Sequence, residues 1–114
     1  MRAGLLPDFG GLSPEAASFL KRVSPVYIWW KTPDEALLYA NRLIAQIMDL
    51  GTYEDTRDLV RLVGTDRLCA VIDRAEAGWF RPQSWSYWHY RLHLTEPGVD
   101  PPPMPTRNLG EQVR

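Results

Sequence analysis

The stretch from Trp79 to Leu94, Trp-Phe-Arg-Pro-Gln-Ser-Trp-Ser-Tyr-Trp-His-Tyr-Arg-Leu-His-Leu, constrains this chain more than any other, and it holds three of the five tryptophans. Pro82 suits the first turn of a helix, where its missing N–H and fixed φ cost nothing, so the pattern predicts a helix from about Pro82 to about Leu94. At ~100° per residue that helix has two apolar faces. Trp85, Trp88 and Leu92 form one, and Tyr87, Tyr90 and Leu94 form the other on nearly the opposite side. A small domain covers one such face with its own core. The second must meet something else or stay wet.

The rest of the chain supports a set of short helices. Ser13-Pro14-Glu15 and Thr32-Pro33-Asp34-Glu35 are helix starts, each with a hydroxyl cap, a proline and an acid in the positive first turn. Ala16, Phe19, Leu20 and Val23 share a face, and Ser24-Pro25 is expected to end the first helix, because a residue before proline is pushed out of the α region. Val26 to Trp30 reads as an extended or single-turn segment crossing the core, with Trp29 and Trp30 counted as core alongside Trp85 and Trp88. The helix that starts at Thr32 is expected to break near Ala40-Asn41. A second segment then carries Leu43, Ile44, Ile47, Met48 and Leu50 on one wide side. Gly51-Thr52 and Gly64-Thr65 read as two identical joints, with the glycine in the left-handed position that ends a helix. Leu59, Leu62 and Val63 form the next stripe. Leu68, Val71, Ile72 and Ala75 form the last, on a helix ended by Gly78.

These elements imply an all-α domain over residues 13–94, a small bundle or curled stack of five to six short helices. An irregular arm, 1–12, precedes it, and a Pro-rich tail, 95–114, comes after it. Pro97, Pro101, Pro102, Pro103 and Pro105 favour polyproline II, so the tail is expected to be stiff and largely unpacked. With 114 residues the chain is one domain with a small core. Thirteen basic against fourteen acidic residues give a net charge of −1, which argues against nucleic acid and anionic lipid as partners. The single cysteine, Cys69, rules out an internal disulfide and fits a reducing cytoplasm. No apolar run approaches the ~18 residues that a membrane span requires. A cytoplasmic, membrane-free protein is expected.

Chemistry-bearing patterns are sparse. His89 and His93 have the one-turn spacing that two imidazoles need for one metal ion, but no third ligand is nearby, and His89 falls beside Trp85 on the wheel. A border histidine is the more economical account. Ser84 or Ser86, His89 and Asp73 lack a nucleophile turn. Cys69 lies beside its helix's apolar stripe, where a thiol with no neighbouring cation behaves as a small hydrophobe. No catalytic residue, metal or cofactor is therefore expected. Tyr, Trp and Arg are the residues enriched in protein-interface hot spots, and the expected partner-binding set is Tyr87, Tyr90, Arg91 and Leu94 with Trp79, Arg81 and Trp30.

Three segments carry a resemblance: Ser24 to Lys31 (Ser-Pro-Val-Tyr-Ile-Trp-Trp-Lys), Arg42 to Gly51 (Arg-Leu-Ile-Ala-Gln-Ile-Met-Asp-Leu-Gly) and Ser84 to Leu92 (Ser-Trp-Ser-Tyr-Trp-His-Tyr-Arg-Leu). In the order and spacing of its apolar and aromatic residues the chain resembles the small antitoxin-like proteins encoded beside AbiEii-type (MenT-like) nucleotidyltransferase toxins of bacteria. The resemblance spans roughly residues 24–94. It implies a non-enzymatic helical protein that binds and neutralises a cognate nucleotidyltransferase toxin. The alternative is a homo-oligomeric structural or regulatory helical module, in which the second face of the last helix pairs with its own copy in a homodimer.

Overall fold

The computed structural model describes residues 11–106, and their secondary structure is entirely helical. The first ten residues of the expected N-terminal arm, and the tail beyond Thr106, lie outside the described residues. Six helices succeed one another: α1 (Pro14–Tyr27), α2 (Pro33–Leu38), α3 (Ala40–Leu50), α4 (Tyr53–Val63), α5 (Thr65–Asp73) and α6 (Pro82–Arg91). The Ser13 hydroxyl accepts from Ala16 N–H at 3.0 Å. Thr32 and Glu35 form a reciprocal capping box, each side chain accepting from the other's backbone N–H. Thr52 accepts from Asp55 N–H at 3.1 Å. Each cap satisfies a backbone donor with no partner inside its helix. The break between α2 and α3 falls at Tyr39, one residue before the expected place.

Helix α1 does not end at Ser24-Pro25 but runs through Pro25 to Tyr27. A proline there removes the N–H that would bond the Lys21 carbonyl. The buried Ser24 hydroxyl donates to that carbonyl instead, at 3.0 Å, and replaces the missing bond. The extra turn redirects the chain beyond it. Ile28 caps the helix and is buried, whereas Trp29 and Trp30 emerge in a turn, 75% and 55% exposed. The expected crossing of the core by Val26 to Trp30 is thus wrong, and Trp29 and Trp30 are not core residues.

Helix α3 is the axis of the molecule and packs against each of the other five helices. Leu43, Ile44, Ala45 and Ile47 are fully buried, each large aliphatic contributing about 1.5–3 kcal/mol of burial. Leu50, expected on the same side, is instead half exposed at the helix end. The two glycine joints also differ. Gly64 has φ +93, a backbone that favours glycine, whereas Gly51 is extended at φ −66. Gly51 is required for space: an added Cβ would run into the Ile47 carbonyl oxygen. Helix α5 ends at Asp73, before Gly78, which instead closes a turn in which Trp79 N–H bonds the Glu76 carbonyl.

Among the helices, α6 packs closely on α3 alone. Trp88, 1% exposed, donates its indole N–H to the Met48 carbonyl at 2.8 Å and fixes the rotation of α6. Arg81 joins the start of α6 to Asp49, through both carboxylate and backbone carbonyl, and Ser84 donates to the same carbonyl. The helix stops at Arg91, three residues short of the expected Leu94. His93 takes the left-handed conformation at φ 60, its N–H bonding Tyr90 and that of Leu94 bonding His89. This paired closure is the Schellman arrangement, with histidine where glycine is usual. The tail then folds back: Met104 packs against the core and the Val99 and Pro102 carbonyls accept from α6, while Val99, Asp100, Pro102 and Pro103 stay exposed.

Candidate protein-binding surface

With Trp88 turned into the core, Tyr87 must face outward. Its ring meets Trp88 edge-on at 5.2 Å and is 50% exposed. Arg91, one turn later, donates to the Tyr87 hydroxyl at 2.7 Å, and its guanidinium lies 5.4 Å from the Trp88 ring centroid. The tyrosine is held rigid, at little further entropic cost to a partner. Across a cleft of about 250 Å³ stands the first turn of α4, with Tyr53, Thr56 and Arg57. Tyr53 is 79% exposed, because it directly follows the Thr52 cap on the outer side of the turn. Gly51, at the joint between α3 and α4, forms part of the cleft.

The cleft is positively charged. Arg91 has no carboxylate partner among the described residues. Arg57 reaches only Asp58, at 3.7 Å, and that carboxylate is shared with Arg61 at 3.2 Å. Two exposed tyrosines between two arginines, one of them, Tyr87, held by Arg91, offer aromatic area plus charge-assisted donors, suited to a carboxylate-bearing partner surface. A second exposed aromatic pair, Trp29 and Trp30, stacks edge-on at 5.6 Å. The α1 end that carries it is tied to the α4 start, since Tyr27 donates to Asp55 at 2.6 Å. Burial, then that bond, push the Tyr27 phenol up to about 12.

The expected partner-binding set therefore divides. Tyr87, Arg91 and Trp30 are displayed. Tyr90 is drawn under the tail, its hydroxyl donating to the Val99 carbonyl. Leu94, still partly exposed, edges a different cleft beneath the tail. Trp79 packs against the core with Arg42 over its ring at 5.7 Å, and Arg81 is committed to Asp49, so both serve the fold. The partner-binding set expected from the sequence lacks Tyr53, Arg57 and Trp29, the last of which is expected there in the core. For Tyr53 the signal was present, a tyrosine at the first helical position after a capping threonine.

The histidines are not paired on a helix face, since His93 lies beyond the end of α6. His89 is 3% exposed, against the Trp85 ring at 4.4 Å, with Nδ1 bonded to the Trp85 carbonyl at 2.8 Å. Among the described residues no group of three or more His, Cys, Asp or Glu could hold a metal ion. Burial, then the Asp66 charge, push the Cys69 thiol up, away from the reactive thiolate. No described helix is long and apolar enough to cross a membrane. Compared with family models, with characterised proteins and with solved structures, the chain matches none.

Proposed function

We propose that this is a cytoplasmic, non-enzymatic binding protein whose Tyr53, Arg57, Tyr87 and Arg91 surface docks on an acidic face of another protein. The observation that carries the reading is Tyr87, half exposed yet locked by Arg91 and Trp88 opposite the exposed Tyr53. A tyrosine that only completed a core would not be held rigid in water, and rigid exposed aromatics beside arginine are the composition of binding hot spots. The resemblance supplies the partner class: a nucleotidyltransferase toxin encoded next to the protein, neutralised by occlusion of its nucleotide or RNA site. This makes the protein the antitoxin of a bacterial toxin–antitoxin pair.

A homodimer through the same cleft is the competing reading. A two-fold interface sets a patch against itself, and here it would bring two positively charged patches together. Light scattering on the protein alone separates the two, with a monomer expected at micromolar concentration. The binding reading is tested by Tyr87→Ala, which is expected to weaken the complex by about 2 kcal/mol.

A further inference from the structure

The tail is seated on α6 in a register that chain connectivity does not require. Val99 N–H closes a turn on the Glu96 carbonyl at 3.0 Å, and residues 100–106 then run without helix or turn. Pro101, Pro102, Pro103 and Pro105 fix φ near −65°, which favours the polyproline II helix of three residues per turn. Two aromatic side chains of α6 donate to this segment. Tyr90 gives its O–H to the Val99 carbonyl, and Trp85 gives its indole N–H to the Pro102 carbonyl at 2.7 Å. The acceptors lie three residues apart, one polyproline turn of about 9 Å, and the donors five residues apart on the helix, about 7.5 Å. Strap and helix run antiparallel in nearly matched register. Prolines have no N–H, so their carbonyls are what a reader can bond, and aromatic grooves bind proline-rich ligands in this way.

The chain's own tail fills this groove incompletely. A cleft of about 340 Å³ remains beneath the strap, edged by Cys69, Ile72, Asp73, His89, Leu94 and Pro103. The Trp85 carbonyl can only accept, so His89 Nδ1 donates to it, and Nε2 is the ring's second nitrogen. No described donor is bonded to Nε2, and it is not a sealed orphan atom, so the cleft is where it can be met. Asp73 adds a carboxylate with no ion pair among the described residues. A carboxylate without an ion pair beside a polyproline track calls for a cationic donor. The seated segment, Val99 to Met104, has no basic residue and carries Asp100.

We propose that the groove along α6 is a binding site for a proline-rich segment of another protein bearing an arginine or lysine, held shut by the chain's own tail. A second copy of this tail would leave the same cleft unfilled, which favours a foreign segment. The groove lies under the tail and is lined by other residues than the Tyr53 and Tyr87 cleft, so either site can fail without the other.

The test uses the full chain with Pro101, Pro102 and Pro103 all changed to glycine, which loosens the strap. It is titrated with the peptide Val-Arg-Pro-Pro-Pro-Met-Pro and with its glutamine counterpart, and binding is read by isothermal titration calorimetry. The loosened chain is expected to bind the arginine peptide at least tenfold more tightly than the wild type, because the strap no longer competes. Trp85→Phe in that background should reduce affinity at least tenfold, and Asp73→Asn should abolish the preference for arginine over glutamine. Equal affinity of loosened and wild-type chains, or no arginine preference, overturns the proposal. So does a loosened chain that exchanges tails into a dimer. If the glycine variant loses helicity, the arginine preference is read on the wild type at millimolar peptide, with Asp73→Asn as its control, and absence of preference is again decisive.

Discussion

The molecule contains two tryptophan pairs with opposite fates. Trp85 and Trp88 lie three residues apart within α6, so both fall on its inner side, and each indole N–H has a carbonyl to meet, Pro102 for one and Met48 for the other. Trp29 and Trp30 are adjacent and lie just past the end of α1, where Ile28 already occupies the core position. Beyond the helix end neither indole has a core position to fill, and the two meet edge-to-face in water. Burial of a large aromatic in a domain this small is decided by helical spacing and by the destination of its N–H. Residue type alone does not decide it.

The sharpest way to break that contrast is to truncate both pairs. Trp88→Ala should cost about 4 kcal/mol by urea denaturation, since it opens a large cavity and leaves the Met48 carbonyl without its donor. Trp29→Ala with Trp30→Ala should stay within about 0.5 kcal/mol of wild type. Comparable losses in the two would dismiss the distinction between core and display.

Smaller effects concern how α1 delivers the exposed pair. Ser24→Ala should cost about 1–2 kcal/mol, because the Lys21 carbonyl loses its only substitute for the proline's missing N–H. Hydrogen exchange should then show fraying confined to the last turn of α1. Tyr27→Phe should cost about 1.5 kcal/mol by removing the bond to the Asp55 carboxylate. Its pH signature has a definite sign. The folded phenol is raised to about 12 from an ordinary value of 10, so its contribution is complete below pH 10 and is lost as pH rises from 10 towards 12. The wild type should therefore lose stability over that interval more steeply than Tyr27→Phe. A parallel decline would remove Tyr27 as the cause. Smallest, His93→Gly should stabilise by up to about 1 kcal/mol, because glycine takes the left-handed position freely.

Much of the fold was legible in the sequence. Ser13-Pro14 and Thr32-Pro33 mark helix starts whose capping bonds are local, Pro82 marks a first turn through its fixed φ, and the α3 stripe comes from periodicity. Pro25 misled, because the rule that proline ends a helix omits a serine that can bond the bereaved carbonyl. Gly51 misled in another way: position and residue type suggested a left-handed cap, and the true requirement is space beside Ile47. The candidate site was half legible. Tyr87 and Arg91 can be placed from the wheel, but Tyr90 is bonded to the tail, and Tyr53 and Arg57 reach the cleft only because α3 packs against both α4 and α6. No spacing within one segment encodes that packing.

The central claim is that the Tyr53 and Tyr87 cleft is a docking surface, and it is tested most directly by co-expression with the proposed partner, a nucleotidyltransferase toxin encoded next to the protein, followed by gel filtration. Wild type should co-elute with the enzyme and relieve its toxicity, whereas the chain carrying Tyr87→Ala and Arg91→Ala, unchanged in thermal stability, should elute apart. Separate elution of the wild type at micromolar concentration, or undiminished co-elution of the double variant, would contradict the account.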